Sequence, residues 1–179
     1  WGSGHEPLGE APYHAAELGK AFVVGMQGEG EIMTASACAK HYAVHSGPEA
    51  IRHHFNAIAT QKNMWETYLP AFEALVKDAE VESVMGAYNR VNGEPCCGSK
   101  TLLVDILRSK WGFAGFVVSD CWALIDFHTG HGVTSSPEES AALAMKYGCD
   151  INCGSVYLQL KSAFAQGLIT EDQVTLAAE

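Results

Sequence analysis

Short apolar runs that end in polar tips recur along this chain, and helix-patterned stretches separate them. Phe116-Val117-Val118 is the clearest case. Its residues are apolar and partly β-branched, the kind buried on both faces of a parallel sheet, and Ser119-Asp120 follows at once. Ile32 to Ala39 leads into Lys40-His41, Glu82 to Tyr88 is the next strand, with Val84, Met85 and Ala87 leading to Tyr88-Asn89-Arg90, and Asp150-Ile151-Asn152 is a shorter fourth run. Strand alternating with helix argues for βα units on a parallel sheet. The last three runs start about 33 to 34 residues apart, close to the ~31 per unit of a ~250-residue eight-unit barrel. The expected fold is α/β, a partial (β/α)8 TIM-type barrel with parallel strands. Four strands cannot close such a barrel, so residues 1-179 are expected to form one incomplete barrel domain lacking its first units.

The helices are legible from their period and their ends. Leu18, Phe22, Val23 and Met26 recur at helical spacing between Pro12 and Gly28, with Gly28 as the stop. Pro70 suits the first turn of a helix reaching Lys77. Ser99 is placed to cap a helix that buries Leu102, Leu103, Ile106 and Leu107. Ser136 and Glu139 form a capping box around Pro137, opening a helix that stops at Gly148. Val156 to Gln166 is expected to be helical up to Gly167, and Thr170 with Gln173 caps a last helix. Asn92-Gly93 marks a turn.

Charge narrows the partners. With 21 acidic against 11 basic side chains, the formal charge is -10 and no basic cluster interrupts it. Nucleic acid and anionic membrane are poor partners for such a surface, whereas a neutral ligand is indifferent to it. No apolar run approaches the ~20 residues needed to span a bilayer. No signal peptide is visible, and the chain starts at Trp1 without an initiator Met, so it reads as a piece of a longer protein whose compartment stays open. Cys38, Cys96, Cys97, Cys121, Cys149 and Cys153 include no C-x-x-C pair. Most lie in or beside apolar runs, where free cysteine acts as a small core residue, and no structural metal is expected.

If the runs are neighbours in one sheet, Lys40, His41, Tyr88, Arg90, Asp120, Trp122 and Asp150 crowd its C-terminal rim, where barrel enzymes do their chemistry. Singly, each has an ordinary reading. An aspartate at a strand end can cap a helix or a turn, a tyrosine or tryptophan can belong to the core, and Lys-His can be a solvated loop. Their joint placement carries the case. A sugar pocket needs donors for several hydroxyls, an aromatic wall for the apolar ring face, and an ionised carboxylate near the anomeric carbon. Lys40 and His41 supply donors, Trp122 the wall, and Asp120 the carboxylate, the candidate nucleophile.

Three stretches, Lys40-His41-Tyr42, Val84 through Gly93, and Trp111-Gly112-Phe113 through Asp120, together resemble glycoside hydrolase family 3 in order, spacing and residue type. The match is closest to its β-glucosidase and β-xylosidase branches, and the opening Trp1-Gly2 and Glu6 to Pro12 look like the family's first segment. The resemblance implies a retaining exo-β-glycosidase that takes terminal glucose or xylose from a β-linked oligosaccharide or aryl glycoside, without cofactor or metal. It implies Asp120 as the catalytic nucleophile, with Lys40, His41 and Tyr88 gripping the sugar. Arg90 lies in the same motif. Trp122 falls one place later than the family's usual tryptophan, because Cys121 intervenes.

Two positions depart from the family pattern. Ser3 stands for an arginine that contacts the sugar, a charged hydrogen bond worth ~1.5 to 3 kcal/mol, so weaker sugar binding is expected. Ala11 stands for an aspartate. The acid/base is expected from a following α/β sandwich domain outside this chain. One branch of the family uses an Asp-x-His pair after Lys-His. Here that place reads Ile51-Arg52-His53, and an imidazole without its orienting carboxylate is a poor acid. Two other functions compete. One is a sugar-binding or degenerate module that has lost turnover; the other is a Schiff-base aldolase using Lys40.

Overall fold

The computed structural model describes residues 7–178. Trp1, Gly2, Ser3 and Glu6 therefore lie outside the described residues. The first helix, α1 (Pro12–Gln27), has proline in its first turn and ends at Gly28, whose φ of 80° is the left-handed conformation that favours glycine. Its N-cap is Ala11, which makes no side-chain cap bond. The aspartate expected there would supply one, an interaction worth about 1 kcal/mol. Strand β1 (Cys38–Tyr42) follows, so the sequence pattern began the strand too early: Lys40 and His41 lie inside it.

Beyond β1 come β2 (Asn56–Ala57), α2 (Gln61–Asn63) continuing as a π-helical turn over Met64–Tyr68, and α3 (Pro70–Lys77). Strand β3 (Ser83–Gly86) leads to β4 (Arg90–Val91) and β5 (Glu94–Pro95). β4 and β5 pair antiparallel across Asn92-Gly93, whose φ values of 50° and 95° suit the Asn-Gly hairpin turn. Ser99 caps the π-helical stretch Lys100–Lys110, its hydroxyl accepting from the Leu102 N–H at 3.0 Å. Strand β6 (Phe116–Ser119) and the short α4 (Asp126–Thr129) come next. Ser136 caps α5 (Pro137–Lys146), a 3-10 turn at Val156–Gln159 enters α6 (Leu160–Ala165), and α7 (Glu171–Ala178) closes the series. The Thr170/Gln173 capping box forms in both directions, with bonds of 3.3 and 2.9 Å.

The main sheet is parallel, in the order β1-β3-β6. Alternation along these strands divides its two faces. Ala39, Val84 and Val117, paired in register, are 6%, 0% and 0% exposed. That face packs on the helices with Tyr42, Leu102, Leu103, Leu107 and Trp111, and fully burying each large side chain contributes roughly 1.5–3 kcal/mol. Tyr42 sits edge-on to Phe72 and donates its buried hydroxyl to the Leu102 carbonyl. The fourth expected strand is reduced to one parallel bridge, Ile151 to Val118. β2 joins β4 and β5 in a second small sheet that the apolar pattern did not reveal, because two-residue strands carry no period. The architecture is the α/β one expected, a parallel arc with helices along one face.

The cysteine reading needs one correction. Cys96, Cys97 and Cys149 are buried free thiols as expected, but Cys38 is a free thiol at an exposed position of β1, and Cys121 and Cys153 form a disulfide across a separation of 32 residues. The spacing of the pair matches no short motif, and only the approach of two loops unites it.

Candidate active site

Asp120 is the residue after β6, and its backbone N–H still donates to the Gly86 carbonyl of β3, so the sheet itself holds it at the strand tip. Its carboxylate is not a helix cap: the N-cap of α4 is Ile125. One oxygen accepts from the Cys121 N–H at 2.8 Å. The other faces His41 Nε2 at 3.4 Å, and both side chains are mostly buried. The carboxylate is thus partly desolvated, with one oxygen tethered and the other at an imidazole.

Tyr88 stands beside this pair. Its hydroxyl donates to the Cys121 carbonyl at 2.7 Å, and its pKa is pushed up to about 12, by burial first and by the Asp120 charge second. The phenol therefore stays protonated, a donor beside the carboxylate. His45 stacks at an angle on His41, and burial lowers its pKa. Trp122 is 56% exposed and sits at φ 68°, a conformation rare for a bulky side chain. Its N–H donates to the Cys153 carbonyl, and Gly154 leaves its ring room, since a Cβ there would come within 3.4 Å of the indole. The disulfide, Ser119 and the segment 151–153 thus brace the residues on both sides of Asp120: the Cys153 N–H and the Asn152 amide both donate to Ser119 Oγ.

Lys40 is an exposed β1 residue of the same strand as His41. Arg90 lies at the rim but spends its guanidinium on the carbonyls of His54 and His131, so it clamps two loops. Asp150 departs from expectation. It precedes the Ile151 bridge, binds Arg108 at 2.9 Å and the Val117 N–H at 2.7 Å, and lines a cavity of about 650 Å³ at the N-terminal end of the strands. The polar residue at the other end of that short run is Asn152. A second cavity, about 900 Å³, also opens at the N-terminal ends, among Glu82, Gly112 and Gly115. Neither contains Asp120. Among the described residues, no three His, Cys, Asp or Glu side chains converge as a metal site.

The discounted histidine has its carboxylate after all. His53 Nδ1 lies 2.8 Å from Asp126 Oδ2, and its ring meets the Tyr88 ring edge-on at 4.9 Å. Asp126 comes from α4, six places after Asp120. Burial raises its pKa, and the His53 bond opposes that rise. No short motif could have shown the pair, because its members lie 73 residues apart.

His131, 7% exposed and stacked on Phe127, carries a pH consequence. Burial, aided by the Arg90 charge, lowers its pKa to about 4. The unfolded chain, with a histidine near 6.5, binds more protons between those values, so stability should fall as pH drops from about 6.5 toward 4. His131→Phe is expected to flatten that slope, by up to ~3 kcal/mol over the window. Urea midpoints of the two proteins at pH 4.5, 5.5 and 7 decide it; parallel curves would refute the assignment.

The fold and the rim together define a class: an α/β barrel-type domain whose acidic centre sits at the C-terminal tips of parallel strands. The chain belongs to glycosyl hydrolase family 3, matching the family's N terminal domain over residues 1–179. It is 46% identical over 179 residues to a xylan 1,4-beta-xylosidase of Xylanibacter ruminicola, covering 97% of this chain and 21% of that protein. Beta-D-xylosidase 1 of Arabidopsis thaliana is 38% identical, with 99% of this chain and 24% of the relative covered. Among solved structures, a family 3 exo-beta-xylosidase in complex with a xylobiose aziridine activity-based probe superposes with a TM-score of 0.94 at 32% identity, covering 99% of this chain and 24% of that one. A Listeria innocua beta-glucosidase in complex with isofagomine gives 0.89 at 32% identity over 99% and 26%. The chain thus spans between a fifth and about a quarter of the length of these relatives.

Proposed function

We propose that this chain is the nucleophile-bearing part of a retaining exo-β-glycosidase that removes terminal β-linked xylose, with glucose as the second choice, from oligosaccharides or aryl glycosides. The observation that carries it is Asp120, oriented by the Cys121 N–H and His41, with the protonated Tyr88 phenol beside it. In this reading Asp120 attacks the anomeric carbon as the glycosidic C–O bond breaks, giving a glycosyl ester; water then hydrolyses it with net retention. Tyr88, His41 and Lys40 hold the sugar, and Trp122 offers an exposed ring face at the rim. The proton donor to the leaving oxygen is a carboxyl about 5 to 5.5 Å from the nucleophile, delivered by a following α/β sandwich domain. The preference for xylose follows the names of the relatives.

The competing Schiff-base reading rests on Lys40 alone, an exposed position of β1. A 2-deoxy-2-fluoro-β-xyloside with a good leaving group should accumulate a covalent adduct on the complete protein, located by peptide mass spectrometry to Asp120. An adduct on another residue removes the assignment.

A further inference from the structure

The His53–Asp126 pair is not needed to explain Asp120, yet it is the most deliberately built polar feature beside it. Asp126 keeps only 8% of its side chain exposed and directs one oxygen at His53 Nδ1. A buried carboxylate is costly unless it is bonded, so this bond fixes the imidazole plane. The imidazole side chain remains 46% exposed, and with Nδ1 turned to Asp126 the other ring nitrogen, Nε2, is the one left for a ligand. The loop that carries it is sewn to the loop after Asp120 by further contacts. The His54 ring bonds the Gly130 carbonyl, Arg90 bridges the carbonyls of His54 and His131, and Gly130 packs so closely that a Cβ would meet the His53 carbonyl at 2.2 Å. Arg52, half-open and paired with Glu49, lies over the Tyr88 face at 5.3 Å while His53 meets its edge.

Tyr88 therefore separates two polar groups: Asp120 and the Cys121 carbonyl at its hydroxyl end, and His53 with Arg52 around its ring. Resting on the glycosidase reading above, we propose that His53, held by Asp126 and flanked by Arg52, is the subsite for the leaving sugar. Its Nε2 and the Arg52 guanidinium form hydrogen bonds with the hydroxyls of the departing ring. A rigid imidazole and a forked donor suit a polyhydroxylated ring and offer nothing to a small alkyl leaving group. His53 here is a specificity-determining residue; protonation of the leaving oxygen stays with the separate carboxyl.

The test compares two substrates of the complete protein that both need acid assistance: xylobiose, whose leaving group is a sugar, and methyl β-xyloside, whose leaving group has no hydroxyl to bind. For His53→Ala the ratio of kcat/KM for xylobiose to that for methyl xyloside should fall about tenfold or more, the loss of one or two good hydrogen bonds. Asp126→Asn, which keeps the shape and weakens the hold on the ring, should lower the ratio less. If both substrates lose rate together, His53 acts as the proton donor or as a fold element and the subsite proposal fails. If neither changes, the pair is a bystander and the proposal also fails. Failure of the glycosidase reading is separate and visible first: the unmodified protein would then turn over neither substrate.

Discussion

Asp120→Ala in the complete protein is expected to lower kcat on aryl β-xylosides by on the order of 10⁴-fold or more, because the proposed covalent step then lacks its nucleophile. The fold should survive. Asp120 is anchored through its backbone N–H to Gly86, and the disulfide and Ser119 contacts that shape its loop do not involve its carboxylate. The vacated space lies between the Cys121 N–H and His41 Nε2, two groups suited to an anion. Azide should therefore restore turnover of an activated aryl xyloside. It would attack from the face Asp120 used, expel the phenolate, and give the α-xylosyl azide. Product anomeric configuration by proton NMR, with an unfolding midpoint as control, checks both halves. Activity within tenfold of the parent protein would mean the nucleophile lies elsewhere.

The second large effect concerns the Cys121–Cys153 disulfide. Closing a separation of 32 residues stabilises a domain by about 3–4 kcal/mol in the chain-entropy model, so replacing both cysteines by serine should lower the unfolding free energy by about that amount. A loss of activity should accompany it below the unfolding midpoint. The Cys121 carbonyl accepts the Tyr88 hydroxyl, the Cys121 N–H holds Asp120, and the Trp122 N–H is bonded to the Cys153 carbonyl. Freeing these two loops loosens the Tyr88 and Asp120 side chains and the Trp122 backbone together. Denaturant titration of the double serine variant, alongside the parent with and without reductant, measures the first effect; kcat/KM in buffer measures the second. Equal midpoints in all three samples would show that the bridge contributes nothing to stability.

Other features were legible before any coordinates because their physics is local. Gly28 ends α1 in a left-handed conformation, Ser99 and Ser136 accept from N–H groups in the first turns they open, and the Thr170/Gln173 box closes on itself. Each depends on residues within a turn of one another. Strand boundaries were less legible. Ile32 to Ala37 is apolar enough for a strand but lies before β1, and sheet pairing with Ser83 and Val84 decides where the strand begins. Asp150 shows the same limit from the other side, since a polar residue flanks each end of a one-bridge strand, and only its bond to Arg108 tells which end is which.

Hydrophobic period and polar tips are written residue by residue, so the alternation of apolar strands with amphipathic helices, and the place of Asp120 just after the clearest strand, are legible in the chain alone. Which distant groups meet is a property of the folded chain: Cys121 with Cys153, His53 with Asp126 across 73 residues, and Arg90 with the carbonyls of His54 and His131. Such meetings depend on how loops from neighbouring strand tips converge. That convergence is set by strand order and register across the whole sheet, which no window of the chain contains.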